Sequence, residues 1–339
     1  MQDSKTNYYT DKNDFERTKI KDMAEVSIVI PTENSVNNID ALLLSIFVQS
    51  VQDTEIIFVD NVSEDGTKIL LDRYVKFDKR VQVIKLKKKV CLTECCRIGL
   101  EQATAPYIYF MDGTKFVYIN QGCLARLIDN AGKYNSDFVY SSCAMINALT
   151  MDGISLYQIK KENFVPKECF SIADIPSDML FRMYLSPWAK LYKREFLQKI
   201  TFPEFEETFF LECVFNAEKI SYDLEGLYLC HFTPRDLEFH NVAAVERANL
   251  EVLHKYNAYE KYKTAYIYHK MRCLWLSIMR APTSEKEARF KELKTEFQNE
   301  DFHEYDFNIL RKEDLYWAVQ NVKKLDWNDF KQTYIGSAA

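Results

Sequence analysis

Four short polar clusters hold the residue types in this chain that could do chemistry. Three of them follow apolar runs directly: Thr32-Glu33-Asn34, Asp60-Asn61 and Asp112-Gly113-Thr114-Lys115. The fourth, Glu206-Glu207, stands just ahead of an apolar stretch. Carboxylates accept hydrogen bonds from hydroxyl and ring N–H groups, bind cations and take up protons, while an ammonium neutralises phosphate. Which of these each residue does depends on the elements that position it. The nine cysteines form no CxxC pair, and Cys95-Cys96 lacks metal-ligand spacing and reads as core.

The apolar runs alternate with helical stripes. Val26-Ser27-Ile28-Val29-Ile30, stopped by Pro31, reads as a buried strand with a loop at its carboxyl end. Ile39, Leu42, Leu43, Ile46 and Phe47 form one helix face. A second strand over Glu55–Val59 ends in Asp60, and its helix is expected to start near Ser63, with Ser63 as N-cap. Val81–Ile84, a helix over about 92–103, and a strand over Tyr107–Met111 ending at Asp112 continue the alternation. Such spacing predicts a parallel sheet with crossover helices, which binds ligands beyond the carboxyl ends of its strands. The polar clusters stand at those ends. A further helix (Leu124, Leu127, Ile128, Ala131) and a strand at Phe138-Val139-Tyr140 follow, residues 144–186 are less regular, and from about 237 the pattern is helical.

The totals bound the answer. With 339 residues there is room for one large α/β domain and a helical extension, and only 8 glycines argue against turn-dense β folds. A net charge of −6 excludes nucleic-acid binding through overall charge. The scattered cysteines, the polar N-terminus without an apolar core segment, and the lack of a long apolar stretch predict a reduced cytoplasmic protein.

The segment Val26–Met111 resembles the amino half of family 2 glycosyltransferases. That family reads I-P-x-Y-N, S-x-x-x-Q, then E-I-I-x-V-D-D-G-S-x-D-G-T; here stand Ile30-Pro31-Thr32-Glu33-Asn34, Ser45-Ile46-Phe47-Val48-Gln49 and Glu55-Ile56-Ile57-Phe58-Val59-Asp60-Asn61-Val62-Ser63-Glu64-Asp65-Gly66-Thr67. A second block, Trp188-Ala189-Lys190-Leu191-Tyr192-Lys193-Arg194, resembles W-x-K-L-Y-x-R, with Glu206-Glu207 where the family has E-D. The resemblance covers about 26–232 and implies a GT-A fold: a mostly parallel α/β sheet flanked by helices, here with a C-terminal helical region. The implied divisions are a polar extension over 1–24, a GT-A domain over 25–236 (nucleotide-binding half about 25–115, acceptor half about 116–236), and helices over 237–335.

It also implies roles. Pro31, Glu33, Asp60, Asp112, Thr114 and Lys115 fall at the donor site, with Asp60 where an acid contacts the uracil or ribose; the alternative for Asp60 is a cap on the next helix. Glu33 replaces a Tyr and is either a ligand or a solvated loop acid. Asp112 matches the first acid of a D-x-D motif that holds Mn or Mg, but Asp112-Gly113-Thr114-Lys115 stands for D-S-D-D, a change of about three charge units. Three readings of Lys115 follow: it neutralises the diphosphate in place of metal, it marks a decayed site, or it points to solvent. Glu207 falls at the catalytic-base position, and Glu206 and Trp188 on the acceptor side. Arg97, in Cys95-Cys96-Arg97 where A-R-N is usual, reads as a surface residue, with reach to phosphate as the alternative.

The function implied is inverting transfer of a sugar from a nucleotide-diphosphate donor to a glycan or lipid-linked acceptor, in bacterial surface-polysaccharide synthesis. The alternative is an inactive pseudo-glycosyltransferase that binds or scaffolds. The aromatic, Lys-rich helices over 255–280 offer a peripheral contact at the inner face of a membrane or an oligomer surface.

Overall fold

A computed structural model describes residues 24–147, 155–157, 168–232, 241–305 and 324–335. All but the last residue of the expected N-terminal extension, and parts of the irregular middle, lie outside the described residues. The chain divides into two compact units: Met1–Asp174 with Ser186–Phe232, and Ile175–Leu185 with Thr233–Ala339.

The first unit is built on β1 (Val26–Thr32), whose seven residues are all buried, as a β-branched run flanked by strands on both sides must be. The crossover helix α1 (Ile39–Phe47) buries Ile39, Leu42, Leu43 and Ile46, the expected stripe without Phe47. β2 (Thr54–Asp60) is fully buried and runs parallel to β1, in a register that sets Thr32 beside Asp60. α2 (Thr67–Phe77), β3 (Val81–Lys85), α3 (Leu92–Gln102) and β4 (Tyr107–Phe110) complete the parallel half.

The start of α2 departs from expectation. Gly66, at φ +101°, occupies the N-cap position, and the Asp65 carboxylate accepts from the Thr67 amide at 3.0 Å. Ser63 does not cap; its hydroxyl accepts from the Asn34 amide at 2.9 Å and ties the loop after β1 to the loop after β2. The acidic side chain two residues before the helix outcompeted the earlier serine for the free N–H groups.

The rest of this unit is β5 (Val117–Ile119), α4 (Cys123–Tyr134), β6 (Phe138–Asn147), β7 (Ser155–Tyr157), β8 (Cys169–Phe170), β9 (Lys190–Lys193), α5 (Arg194–Leu197), α6 (Glu206–Asn216) and β10 (Ile220–Phe232). Among the described residues the sheet order is β3-β2-β1-β4-β9-β6-β10-β5, with β7 on β6 and β8 on β10. β9 is antiparallel to both β4 and β6, so the sheet is mixed beyond its parallel half. Between β1 and β4 the strand order reverses, and at that crevice an α/β sheet holds ligand.

Two contacts fix the strands there. Glu55, 6% exposed, accepts from the Ser27 hydroxyl at 2.5 Å and from the Thr104 amide at 2.9 Å, joining β1, β2 and the entry to β4. α3 presses on β1 at Gly99, where a Cβ would lie 2.2 Å from Val29 Cγ1, so only glycine admits the approach.

In the second unit α7 (Val242–Lys255) turns through Asn257, at φ +52°, into α8 (Tyr259–Arg280), and α9 (Thr283–Phe297) follows the break at Ala281-Pro282. The Tyr266 hydroxyl donates to the Glu246 carbonyl at 2.9 Å and pins α8 to α7. Residues 175–185 belong to this unit: the Ile175 carbonyl accepts from Tyr262 at 3.1 Å, and the Phe181 ring lies 5.7 Å from Tyr266. No helix among the described residues is long and apolar enough to cross a membrane.

Candidate active site

The switch-point crevice brings together the loops after β1, β2 and β4. Met111 donates to the Val29 carbonyl and Gly113 to the Pro31 carbonyl, both at 3.0 Å, so the chain leaving β4 stays clamped along β1 past the end of the ladder. A Cβ on Gly113 would lie 2.7 Å from the Pro31 oxygen and 2.9 Å from Thr32 Oγ1, which leaves room for glycine alone. Pro31 lacks an N–H, and it stands where the β1–β4 pairing has already ended at Val29–Phe110. Asn38 reaches from the start of α1 to the Thr114 carbonyl at 3.0 Å.

This clamp aims Asp112 and Lys115 at each other. Asp112 is 1% exposed. Its Oδ1 accepts from the Thr114 amide at 3.0 Å and from the Thr114 hydroxyl at 2.5 Å. Its Oδ2 lies 2.9 Å from Lys115 Nζ. The Asp112 charge holds the Lys115 ammonium well above the ordinary lysine range, with Glu206 adding to it and burial opposing. Lys115 therefore stays a cation at neutral pH, and it does not point into open solvent.

Asp60 closes the crevice on the β2 side. It is fully buried, and neither of its carboxylate oxygens has a hydrogen-bond partner among the described residues. It caps no helix, since α2 begins seven residues later. A buried carboxylate with no partner is costly, and groups left so in native structures mark strain or a missing ligand. Asn61 beside it is fixed from three directions: its amide donates to the Thr32 carbonyl at 2.7 Å, and its side chain exchanges hydrogen bonds with the Val90 backbone at 3.0 and 3.1 Å. Glu33 is partly exposed and paired on both oxygens; Oε1 pairs with Lys89 and Oε2 accepts from Asn61 at 2.9 Å.

The second acid pair opens α6. Glu206 is half-buried, and its Oε2 accepts from the Ser186 hydroxyl at 3.2 Å. Burial pushes the Glu206 carboxyl above the ordinary glutamate value and Asp112 adds to this, while Lys115, Ser186 and Trp188 act against it. Glu206 thus shares one electrostatic field with Asp112 and Lys115. Glu207 is half-buried on the next position of the same helix. Trp188 is 2% exposed, and its indole Nε1 is a buried donor outside hydrogen-bonding geometry. Behind this loop Lys190, fully buried, donates to the Ser186 carbonyl at 2.6 Å and the Trp188 carbonyl at 3.0 Å. Its ammonium sits 4.3 Å from the ring centres of both Tyr140 and Phe210. Desolvation pulls its pKa well below the usual lysine value.

The sequence 27–201 matches the model of glycosyl transferase family 2. The chain belongs to that family. Family 2 relatives include the cholesterol galactosyltransferase of Borreliella burgdorferi, 26% identical over 214 residues that make up 58% of this chain and 57% of that protein. The poly(ribitol-phosphate) beta-N-acetylglucosaminyltransferase TarP of Staphylococcus aureus is 25% identical over 241 residues, 67% of this chain and 68% of TarP. The chain spans less than two thirds of the length of several such relatives. The crystal structure of S. aureus TarS 1-349 in complex with UDP has the same fold, with a TM-score of 0.61 at 19% identity over 91% of this chain and 89% of TarS 1-349. The architecture is GT-A.

Against the family pattern three departures acquire a physical meaning. Both oxygens of Asp112 are engaged, one of them by an ammonium, so the residues present do not fit a divalent cation at this motif. Arg97 pairs with Glu94 at 2.7 Å and Glu101 at 2.5 Å, within one helix, α3. Val62 stands where the family has glycine and adopts φ +60°, a region that costs an L-residue about 1–2 kcal/mol. Val62→Gly is therefore expected to raise unfolding free energy by about 1 kcal/mol. Urea denaturation checks this, and an unchanged or lower midpoint would contradict it.

Several residues escaped sequence reasoning. Ser186, Asn38 and Tyr228, whose hydroxyl accepts from the Asp112 amide at 3.3 Å, act through distant pairings that no local pattern marks. Lys190 was visible inside W-x-K-L-Y, but its role as the anchor of the Ser186–Trp188 loop was not.

Proposed function

We propose that this family 2 chain is an inverting glycosyltransferase that moves a sugar from a nucleotide-diphosphate donor to a glycan or lipid-linked acceptor, with Lys115 taking the place of a metal ion. The carrying observation is the Lys115–Asp112 pair at 2.9 Å in the position of the D-x-D motif. Asp112 holds the ammonium in place, and Lys115 neutralises the diphosphate as the glycosidic bond to phosphate breaks. A preorganised cation aimed at charge that grows in the transition state lowers the barrier without reorganising. Asp60, with two buried unpartnered oxygens, accepts from the base or ribose of the donor, and Glu33 with Lys89 borders the same pocket through Asn61.

Glu207 acts as the base by its place in the motif: it takes the proton of the acceptor hydroxyl while that oxygen attacks the anomeric carbon from the face opposite the leaving diphosphate, which inverts the configuration. Glu206 and Trp188 form the acceptor-side wall, braced by Lys190. The name of TarP, a poly(ribitol-phosphate) beta-N-acetylglucosaminyltransferase, supports an acceptor in bacterial surface-polymer synthesis. The accumulated departures at Glu33, Cys96, Arg97, Thr114 and Lys115 are what favour a second reading, a binding subunit without turnover.

Asp60→Asn separates binding from stability. It removes a buried charge but keeps the shape, so the melting temperature is expected to hold or rise. UDP, GDP or CMP affinity, whichever the wild type binds, is expected to fall about 10–100-fold, the loss of a charge-assisted hydrogen bond. Calorimetry and thermal melting on the same samples check both arms. Unchanged affinity would remove Asp60 from the donor pocket.

A further inference from the structure

The helical unit holds a cluster that no part of the transfer reaction uses. Glu246 on α7 and His269 and Cys273 on α8 turn their side chains to one point, with ligand atoms all within 4.8 Å of one another. His269 and Cys273 are four residues apart, so they share a helix face. Nε2 of His269 lies 3.5 Å from Cys273 Sγ and 3.4 Å from Glu246 Oε1. All three residues are buried, with side-chain exposures of 1% for Glu246 and 9% for His269.

These separations suit a tetrahedral zinc ion. With zinc bonded to sulfur at about 2.3 Å, to nitrogen at about 2.05 Å and to oxygen at about 2.1 Å, the tetrahedral angle puts N and S about 3.6 Å apart and N and O about 3.4 Å apart. The two pairs made by His269 Nε2 fall on those values, and the Cys273 sulfur lies within 4.8 Å of the Glu246 carboxylate. Charge points the same way: a thiolate and a carboxylate with a neutral imidazole carry two negative charges, which one divalent ion cancels, and a buried site must be near neutral to be tolerated. Sulfur and imidazole together select zinc over magnesium or calcium, which take oxygen.

We propose that Glu246, His269 and Cys273 form a three-ligand zinc site that clamps α7 to α8. The site is independent of the transfer chemistry and stands whether or not the proposed reaction does. Binding releases the Cys273 thiol proton to solvent and forms one Zn–S, one Zn–N and one Zn–O bond.

The test uses the full chain, stripped with chelator and titrated with Zn²⁺ and with Co²⁺. Cobalt is expected to give a thiolate-to-metal charge-transfer band that Zn²⁺ displaces at one equivalent, with about one proton released. Cys273→Ser and His269→Gln are each expected to abolish the band and weaken Zn²⁺ binding at least about tenfold. Cys91→Ser and Cys169→Ser, at half-buried cysteines of the first unit, are expected to keep it. A wild-type chain with no charge-transfer band would overturn the proposal without any variant, leaving a buried carboxylate–imidazole pair. So would a band that survives Cys273→Ser. If a variant misfolds by circular dichroism, the isosteric Glu246→Gln replaces it, with weaker Zn²⁺ binding supporting the site and unchanged binding opposing it.

Discussion

Lys115→Ala is expected to lower kcat/KM by about 10²–10³-fold, the usual loss when one preorganised charge opposite a developing anion is removed. The wild type is expected to lose nothing to a chelator, because the cation at this place is covalently part of the chain. The paired change Thr114→Asp with Lys115→Ala restores two acids at D-x-D spacing and frees Asp112 of both its Thr114 hydroxyl and its Lys115 partner. That double variant is expected to recover part of the activity with Mn²⁺ and to be sensitive to chelator. Donor turnover for all three proteins, with and without Mn²⁺, checks the set. A wild type silenced by chelator would show that a metal, and not Lys115, carries the charge. The single variant has a stability cost as well: it leaves the buried Asp112 carboxylate with only the Thr114 bonds, so its melting temperature must be followed alongside the rates.

Glu207→Gln is expected to lower kcat by about 10²–10⁴-fold while leaving nucleotide affinity within about twofold, because a base acts on the acceptor proton and not on donor binding. Glu206→Gln is expected to act differently. Glu206 shares its field with Lys115 and Asp112, so neutralising it should shift donor affinity and the pH profile while sparing most of kcat. The sign of the pH effect follows from burial. A carboxyl raised in the folded state favours folding while protonated, below the ordinary glutamate value, and that contribution is lost as pH rises through the raised value. The Gln variant should therefore flatten the stability profile on the alkaline side of the ordinary glutamate range. If Glu206→Gln, and not Glu207→Gln, abolishes kcat and the acid limb together, the two roles are exchanged.

The parallel half of the fold was legible because each of its signals is local. A β-branched run ended by proline, a strand ended by aspartate, and stripes such as Ile39, Leu42, Leu43 and Ile46 each declare themselves within ten residues. The expected place of the site, beyond the carboxyl ends of the parallel strands, follows from topology alone. What stayed hidden depends on geometry between distant segments. That Lys115 lies against Asp112 depends on the clamp at Gly113, and that Glu33 sits between Lys89 and Asn61 depends on loops distant in sequence. The Ser63 cap failed because Asp65, two residues on, was a stronger competitor for the same amides. The helical unit takes in residues 175–185, a segment whose sequence carries no periodic signal and whose place is set by contacts such as Tyr262 with Ile175.

The most direct test of the central claim is nucleotide binding by calorimetry, with UDP, GDP and CMP titrated into the wild type and Lys115→Ala, each with chelator and with Mn²⁺. The wild type is expected to bind one of the nucleoside diphosphates with an affinity indifferent to chelator, and Lys115→Ala to lose about tenfold or more of it. No binding of any nucleotide by the wild type, or binding that needs Mn²⁺ and ignores Lys115, would contradict it.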